Sequence, residues 1–434
     1  MANRKINIFW FRRDLRLDDN IGLYNALKEE IPVLCLFIFD KEILEKLKDK
    51  KDQRLTFIHD TLRDLKIQLS KYNSDLLTYH DQVNLAWKEI IQNYNVNKVF
   101  TNEDYEPYAI KRDKDIQSYL QKNDILFESY KDQCIFSKND VLKQDGKPYT
   151  VFTPYKNKWY ETLTPQDIAS INSKKDLKNL LAIKKLHYPS LKEMGFESCD
   201  SLAPKRIIRS KMLKDYDQNR NLPALDATSK LGIHLRFGTI SIRRCVQIAR
   251  ETNQTWLDEL IWREFFMQIL YHFPHVDGAP FKKKYEAIPW INNKEEFKKW
   301  CEGKTGYGLV DAGMRELNQT GHMHNRVRMV AASFLIKHLL IDWRWGERYF
   351  ASKLLDFELS ANNGNWQWVA GTGCDAAPYF RVFNPETQLK KFDTELKYVK
   401  KWVPEYDTAD YPKKMIDHKF AYNRARSTYK DALN

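Results

Sequence analysis

No stretch of the 434-residue sequence approaches 18 consecutive apolar residues, so nothing in it is built as a membrane-spanning helix. The six cysteines, Cys35, Cys134, Cys199, Cys245, Cys301 and Cys374, form no CxxC pair and no metal-ligand spacing. They read as reduced thiols of a cytoplasmic protein and argue against a disulfide scaffold or a zinc site. His322 and His324 stand two apart, which on a helix points them away from each other, so no metal is expected there. No GxGxxG follows the first strand-like run, which excludes the usual nicotinamide-binding signature. The opening residues lack the long apolar region of a signal peptide. Internal repeats and low-complexity tracts are absent, and the chain runs on from Phe380 without a long tail.

What is present is positive charge and aromatic mass. Lys and Arg number 71 against 58 Asp and Glu, a formal charge of +13. Between 201 and 250 the imbalance is steepest, with eleven basic residues against Asp215, Asp217 and Asp226. That concentration favours a polyanionic partner, with a solvated surface as the plain alternative. Aromatics make up 13% of the chain and include 12 Trp, suited to a core, to stacking platforms or to electron relays. The length exceeds one ordinary domain and suggests two.

Along the chain, Ile6 to Phe11, Val33 to Phe39, Leu76 to Tyr79, Lys98 to Thr101 and Ile125 to Ser129 read as strands. Helical spacing separates them: Asp19 or Asn20 is placed to cap a helix over Ile21 to Leu27. Leu55, Ile58, Leu62, Leu65 and Leu69 mark a second helix, and two more fall over 83–94 and 106–121. This alternation over 1–130 predicts an α/β domain with a doubly wound parallel sheet. Residues 131–205 lose regularity and carry Pro189, Gly195 and Pro204, so a linker packed across the surface is expected. From 206 to 434 the pattern is helical almost throughout, predicting an all-α C-terminal domain.

Three stretches in that second half concentrate polar and aromatic residues. Glu259, Trp262 and Arg263 fall at i, i+3 and i+4, so one helical face carries carboxylate, indole and guanidinium. Asn325, Arg328 and Met329 repeat the spacing on a helix whose other face (Val330, Phe334, Leu335) is apolar. Between Asp356 and Phe380 lie the adjacent amides Asn362 and Asn363 and the indoles Trp366 and Trp368. On a helix those two indoles stand about 200° apart, one facing inward and one towards a cleft. Each pattern also fits ordinary packing, but buried amides and acids need partners, and a polar planar ligand would supply them.

The stretch from Asp356 to Phe380 resembles the flavin-binding core of the photolyase/cryptochrome family, nearest its class I branch that repairs cyclobutane pyrimidine dimers, and the resemblance covers nearly the whole chain. It implies FAD in the helical domain. The family roles place Asn362 on the central flavin ring, Arg328 paired with Asp356 beside it, and Arg263, Glu358 and Trp256 on the cofactor side. Tyr216, Thr228, Ser229, Lys230 and Leu231 match its phosphate site, although a Thr/Ser pair before a helix also reads as a plain cap. Glu259 corresponds to the carboxylate that hydrogen-bonds the damaged pyrimidines, and Trp262 and Trp368 to the walls of the lesion pocket. Asn325 corresponds to an amide touching flavin and lesion, Met329 to a lesion-pocket residue, and Arg326 to a DNA contact. A relay of Trp366, Trp343 and Trp290 is implied, with Trp290 outermost. Three positions depart from the pattern: Gly232 stands for a frequent Ser, His322 for a frequent Trp and Glu358 for a frequent Asp.

The resemblance also implies a second, light-harvesting pigment in the α/β domain, methenyltetrahydrofolate or a deazaflavin. Asn102 and Glu103 resemble a pair that contacts folate in some members. DNA containing pyrimidine dimers is the expected partner of a monomer. A cryptochrome-type blue-light receptor is the alternative within the family, and a light-independent flavin oxidoreductase the alternative outside it. Plant-type cryptochromes tend to carry Asp where Asn362 stands, and six-four repair enzymes a His in place of Met329. Glu259, Trp262, Asn325, Met329 and Trp368 together match dimer repair.

Overall fold

In a computed structural model, which describes residues 4–433, the chain divides into two compact units. The first contains a five-stranded, wholly parallel sheet in the order β3-β2-β1-β4-β5. Its strands are β1 (Lys5–Phe11), β2 (Val33–Asp40), β3 (Leu76–Asp81), β4 (Asn95–Asn102) and β5 (Leu126–Tyr130). Between them run α1 (Ile21–Lys28), α2 (Gln53–Ser70), α3 (Val83–Asn93) and α4 (Pro107–Gln121). β2 is buried along its whole length, as its seven-residue apolar run requires of a strand covered on both faces. Asn20, not Asp19, caps α1 by accepting from the Leu23 N–H. Asp19 pairs instead with Arg243 at 3.0 Å.

At the switch point between β1 and β4, Asn102 is buried. Its amide donates to Asp14 Oδ2 at 2.6 Å and Asn20 Oδ1 at 2.8 Å, and its carbonyl accepts the Gly22 N–H at 2.9 Å. A Cβ on Gly22 would meet both Asn102 and Phe9 at 2.8 Å, so this crevice is filled by side chains. Asn102 is thus anchored within the fold on both its amide nitrogen and its carbonyl.

The expected boundaries, 1–130, 131–205 and 206–434, need correction. The first unit takes in the chain up to Asp140 together with Thr162–Ile207 and Leu231–Ile248. The second consists of Val141–Glu161, Ile208–Lys230 and Ala249–Asn434. Side-chain chemistry explains the crossings. Arg236 pairs with Glu106 at 2.9 Å, and Arg243 joins Arg16 around the buried Asp132. Gly238, at φ +61°, lies so close to the Arg13 carbonyl that a Cβ would stand 2.1 Å from it. Residues 162–207 pack on the sheet unit, where Leu181 N–H donates to Val33 O and Leu186 N–H to Asp75. Residues 152–162 are not linker but α5 (Phe152–Thr162).

The second unit is helical around a core that includes Trp300, Met323, Phe334, Trp343 and Trp366. Four of its helices carry the polar stretches: α6 (Gln254–His272), α7 (Asn325–Ser333), α8 (Trp343–Lys353) and α9 (Leu359–Ala370). α6 buries residues on nearly every side, which fits a central helix. Beyond α7 the chain widens into a π turn, Phe334–His338. α9 stops where Gly371 takes φ +86° and its N–H returns to Gln367 O.

Candidate functional site

A cavity of about 400 Å³ opens within the helical unit, a size suited to a small-molecule site. Each of α6, α7 and α9 contributes one of the polar faces read from the sequence. α6 supplies Glu259, Trp262 and Arg263, and α7 supplies Asn325, Arg328 and Met329. From α9 and the turn before it come Asp356, Glu358, Asn362, Trp366 and Trp368. Helical periodicity separates the two adjacent amides of α9. Asn362 lines the cavity, whereas Asn363 is buried and donates to Val276 O at 2.8 Å. Trp366 is 3% exposed and Trp368 half-buried, yet both indoles reach the cavity, which therefore wraps around this end of α9.

Ion pairs fix the charged residues. Arg328 Nη2 lies 2.9 Å from Asp356 Oδ2. Burial alone would raise the Asp356 carboxyl, but the Arg328 guanidinium more than offsets this and holds it below its ordinary range. Arg263 Nε donates to Glu358 Oε2 at 3.0 Å, with both side chains largely buried. Glu358, the longer acid standing for a frequent Asp, is thus held by Arg263. Glu259 pairs with Arg220, a residue that the sequence marked only as one more cation. Burial raises the Glu259 carboxyl, and Arg220 pulls it part of the way back.

Asn362 has a partner that the sequence reading missed. Its amide nitrogen donates to Glu347 Oε1 at 2.7 Å and to Glu347 O at 3.1 Å. Glu347 sits four residues after Trp343 on α8, a same-face spacing that was legible. Burial raises its carboxyl too. Behind Trp262, the Phe152 ring stacks at 3.6 Å and 8°, so the supposed connector backs the cavity wall. Arg381, also missed, lies 5.7 Å from the Trp368 ring centroid. Arg326 donates to Asn221 Oδ1 at 2.8 Å and covers the Phe392 ring.

Other expected site residues lie outside this lining. Trp256 is buried in α6. Tyr216 opens a four-residue helix, with the Arg220 guanidinium 5.6 Å from its ring. Lys230 and Arg209 both pair with Asp226, and Arg209 also donates to Thr228 O. Ser229 precedes Lys230 in the same segment, while Leu231 falls in the first unit and occupies the N-cap position of a five-residue helix. Trp343 is buried in the core, and Trp290 is half-buried with its ring 6.0 Å from Tyr429. His324 caps α7, its Nδ1 accepting from the Arg326 N–H. No cluster of metal-ligating side chains occurs among the described residues.

Five of the eleven cations over 201–250 pair with carboxylates, two of them with the exposed Asp226. Arg209, Arg220, Lys230, Arg236 and Arg243 each hold a carboxylate, and Arg206 donates to Thr239 O. The count therefore overstated the positive surface open to a polyanion.

Similarity to known proteins agrees with this geometry. Residues 7–173 match the DNA photolyase family model, and residues 256–409 match the model for the FAD-binding domain of DNA photolyase. A deoxyribodipyrimidine photo-lyase of Synechococcus sp. is 36% identical over 94% of this chain and 90% of its own. A bacterial class III photolyase from Agrobacterium tumefaciens superposes with a TM-score of 0.86 at 31% identity, covering 100% of this chain and 98% of its own. An archaeal photolyase from Sulfolobus tokodaii, solved with two FAD molecules, gives 0.80 at 34% identity over 98% and 99% of the two chains. With three polar helical faces converging on one cavity and relatives matched along nearly its whole length, the chain belongs to the DNA photolyase family.

Proposed function

We propose that the protein repairs cyclobutane pyrimidine dimers in DNA, driven by light absorbed at reduced FAD. One observation carries the reading: Glu259, Trp262, Asn325, Met329 and Trp368 share a single cavity with Arg263, Arg328, Asp356, Glu358 and Asn362. The donor set fits a flavin. Because the Asn362 amide nitrogen is engaged by Glu347, its carbonyl oxygen remains as an acceptor for an N–H on a planar ring. The Arg328–Asp356 pair offers a donor and an acceptor side by side.

When bound, reduced FAD supplies on excitation the electron that opens the cyclobutane ring and receives it back, so the reaction is redox-neutral. The protein's own residues position the dimer and shape its electrostatics. Trp262, braced by Phe152, gives a flat wall for a base, and Met329 with Trp368 limits the space beside it. Glu259 in its protonated form donates a hydrogen bond to charge developing on a pyrimidine, and its upward shift favours that form. Arg220 offsets the carboxylate whenever Glu259 is ionised. Trp366 is the inner member of the relay that returns the flavin to its reduced state, with Trp343 and Trp290 beyond it. The phosphates of FAD fall to Tyr216 and the Thr228–Lys230 segment.

A second light-harvesting pigment belongs to the same reading; the Sulfolobus tokodaii relative, with its two FAD molecules, is the precedent. With none of its six cysteines in a disulfide, the protein suits a reducing compartment such as the cytoplasm, where it acts as a monomer.

The test is repair of a defined dimer in single- and double-stranded oligonucleotides under blue light, with a dark control. Acid release and mass spectrometry give the FAD content. Light-dependent loss of the dimer at full FAD loading is the expected result. Protein that binds and photoreduces FAD yet repairs neither substrate would instead be a cryptochrome-type photoreceptor.

A further inference from the structure

We propose that Asp375 is a positioning residue that fixes how far apart the indoles Trp262 and Trp368 stand, and so selects joined pyrimidines over separate ones. The inference rests on the reading above that these indoles bound the space for the dimer. Its own support is the way the two helices that carry them are joined. α6 and α9 touch where Gly364 meets Phe266, and a Cβ on Gly364 would stand 2.1 Å from Phe266 Cδ1. Backbone is there pressed directly against a ring. Trp262 lies one turn before Phe266 on α6, and Trp368 one turn after Gly364 on α9. Both indoles line the cavity. The Gly364 contact is therefore a pivot, and a small rotation about it changes the separation of the indoles.

A second attachment blocks that rotation. On one side, α5 is fastened to α6: Lys156 pairs with Asp258 at 2.9 Å, and the buried Trp159 indole N–H donates to Glu264 at 2.7 Å. The first residue of α5 is Phe152, whose ring stacks on Trp262. On the other side, residues 372–377 fold back onto the last turn of α9. The N–H groups of Thr372 and Gly373 donate to Gln367 O at 3.0 and 3.2 Å, and that of Ala377 to Trp368 O at 3.2 Å. Asp375 lies inside this loop and reaches across, its Oδ2 accepting the Phe152 N–H at 2.9 Å. That N–H opens a helix of eleven residues, where the helix offers it no acceptor and its dipole favours a carboxylate. One hydrogen bond thus links the ring behind Trp262 to the loop hung on Trp368.

With pivot and tie both in place, the two indoles keep one separation. A cyclobutane dimer is two pyrimidines locked together by covalent bonds, so it loses little freedom on entering a slot already set to its width. Two undamaged pyrimidines are joined only through the flexible backbone and must be ordered as they enter. A slot of fixed width therefore enlarges the difference in affinity between the two. The phosphates of damaged and undamaged DNA are alike, and contacts to them do not depend on the slot. Asp375 governs discrimination and not the overall hold on DNA.

The test measures binding in the dark by FAD-loaded wild type, Asp375→Ala, Asp375→Asn and Phe152→Leu. The probes are two single-stranded oligonucleotides of one sequence, one with a defined thymine dimer and one undamaged. FAD content and melting temperature are read beside them. Asp375→Ala is expected to bind the dimer about tenfold more weakly, the worth of a hydrogen bond to a charged group, with unchanged affinity for undamaged DNA. Asp375→Asn keeps an oxygen that accepts the Phe152 N–H, so most of the discrimination returns. Phe152→Leu removes the ring behind Trp262 and loses discrimination from the other end of the tie. Wild-type discrimination in Asp375→Ala or in Phe152→Leu, or no rescue by Asp375→Asn, overturns the proposal. So does a parallel fall in FAD content, melting temperature and binding of both probes, which marks Asp375 as structural alone. Wild type that binds the dimer no better than undamaged DNA overturns instead the repair reading on which the proposal rests.

Discussion

Glu259 and Arg263, four residues apart on one helical face, are each held by an opposite charge, but with different consequences. Glu259 meets Arg220 in the cavity lining, and under the proposed function it acts in the reaction more than in the fold. Glu259→Ala is expected to leave FAD content near normal while lowering the dimers repaired per absorbed photon. The lost hydrogen bond to a charged group is worth roughly 1.5–3 kcal/mol, and quantum-yield measurements at equal flavin loading check it. Arg263 and Glu358 are buried together, with side-chain exposures of 10% and 6%. Arg263→Ala takes the guanidinium away from a buried carboxylate and is expected to cost about 3–5 kcal/mol of stability. The double variant Arg263→Met/Glu358→Leu should be much milder, because no buried charge is left behind. Urea unfolding of the three proteins decides it. The residue types at these positions were legible from sequence. The Glu259 partner Arg220 was not, since it comes from a separate segment.

At the scale of elements, α7 depends on a cap that titrates. His324 Nδ1 accepts the Arg326 N–H, which only the neutral imidazole can do. Burial pushes the His324 pKa down to about 4, with Arg326, Arg328 and His322 adding to the effect and Glu316 opposing it. A lowered histidine pKa stabilises the fold above the unfolded value of about 6.5, and that stability is lost as pH falls through about 4. The loss is on the order of 3 kcal/mol across this window. His324→Asn keeps an acceptor at the cap and removes the titration, so its melting temperature should fall less between neutral and acid pH. The helix itself, with Asn325, Arg328 and Met329 on one face, followed from spacing. The π turn at Phe334–His338 did not, because widening a helix is a response to what packs against it.

For the whole molecule, the charge of +13 is a net value, and five of the eleven cations between 201 and 250 already pair with carboxylates, so that run offers DNA less than its count suggests. Arg326 is different, its partners being the neutral Asn221 carbonyl and the Phe392 face. Six phosphate contacts give a slope of about −5 in log K against log salt, and neutralising one of them reduces it by about 1. Arg326→Gln is therefore expected to flatten the salt dependence of duplex binding by about that amount, while Arg243→Gln should destabilise the first unit by leaving the buried Asp132 to Arg16 alone. Titration of binding against salt, beside thermal melts, separates the two. By itself the sequence determined the parallel sheet, the helical second half and the three polar helical faces, because apolar periodicity and same-face spacing are local properties of the chain. Only the tertiary structure decided that 231–248 joins the sheet unit and 141–161 the helical one, that Asn102 is consumed by Asp14 and Asn20, and that Trp366 meets Trp300. Those outcomes depend on pairings between residues far apart in sequence, and a buried charge or ring is committed only when its partner arrives.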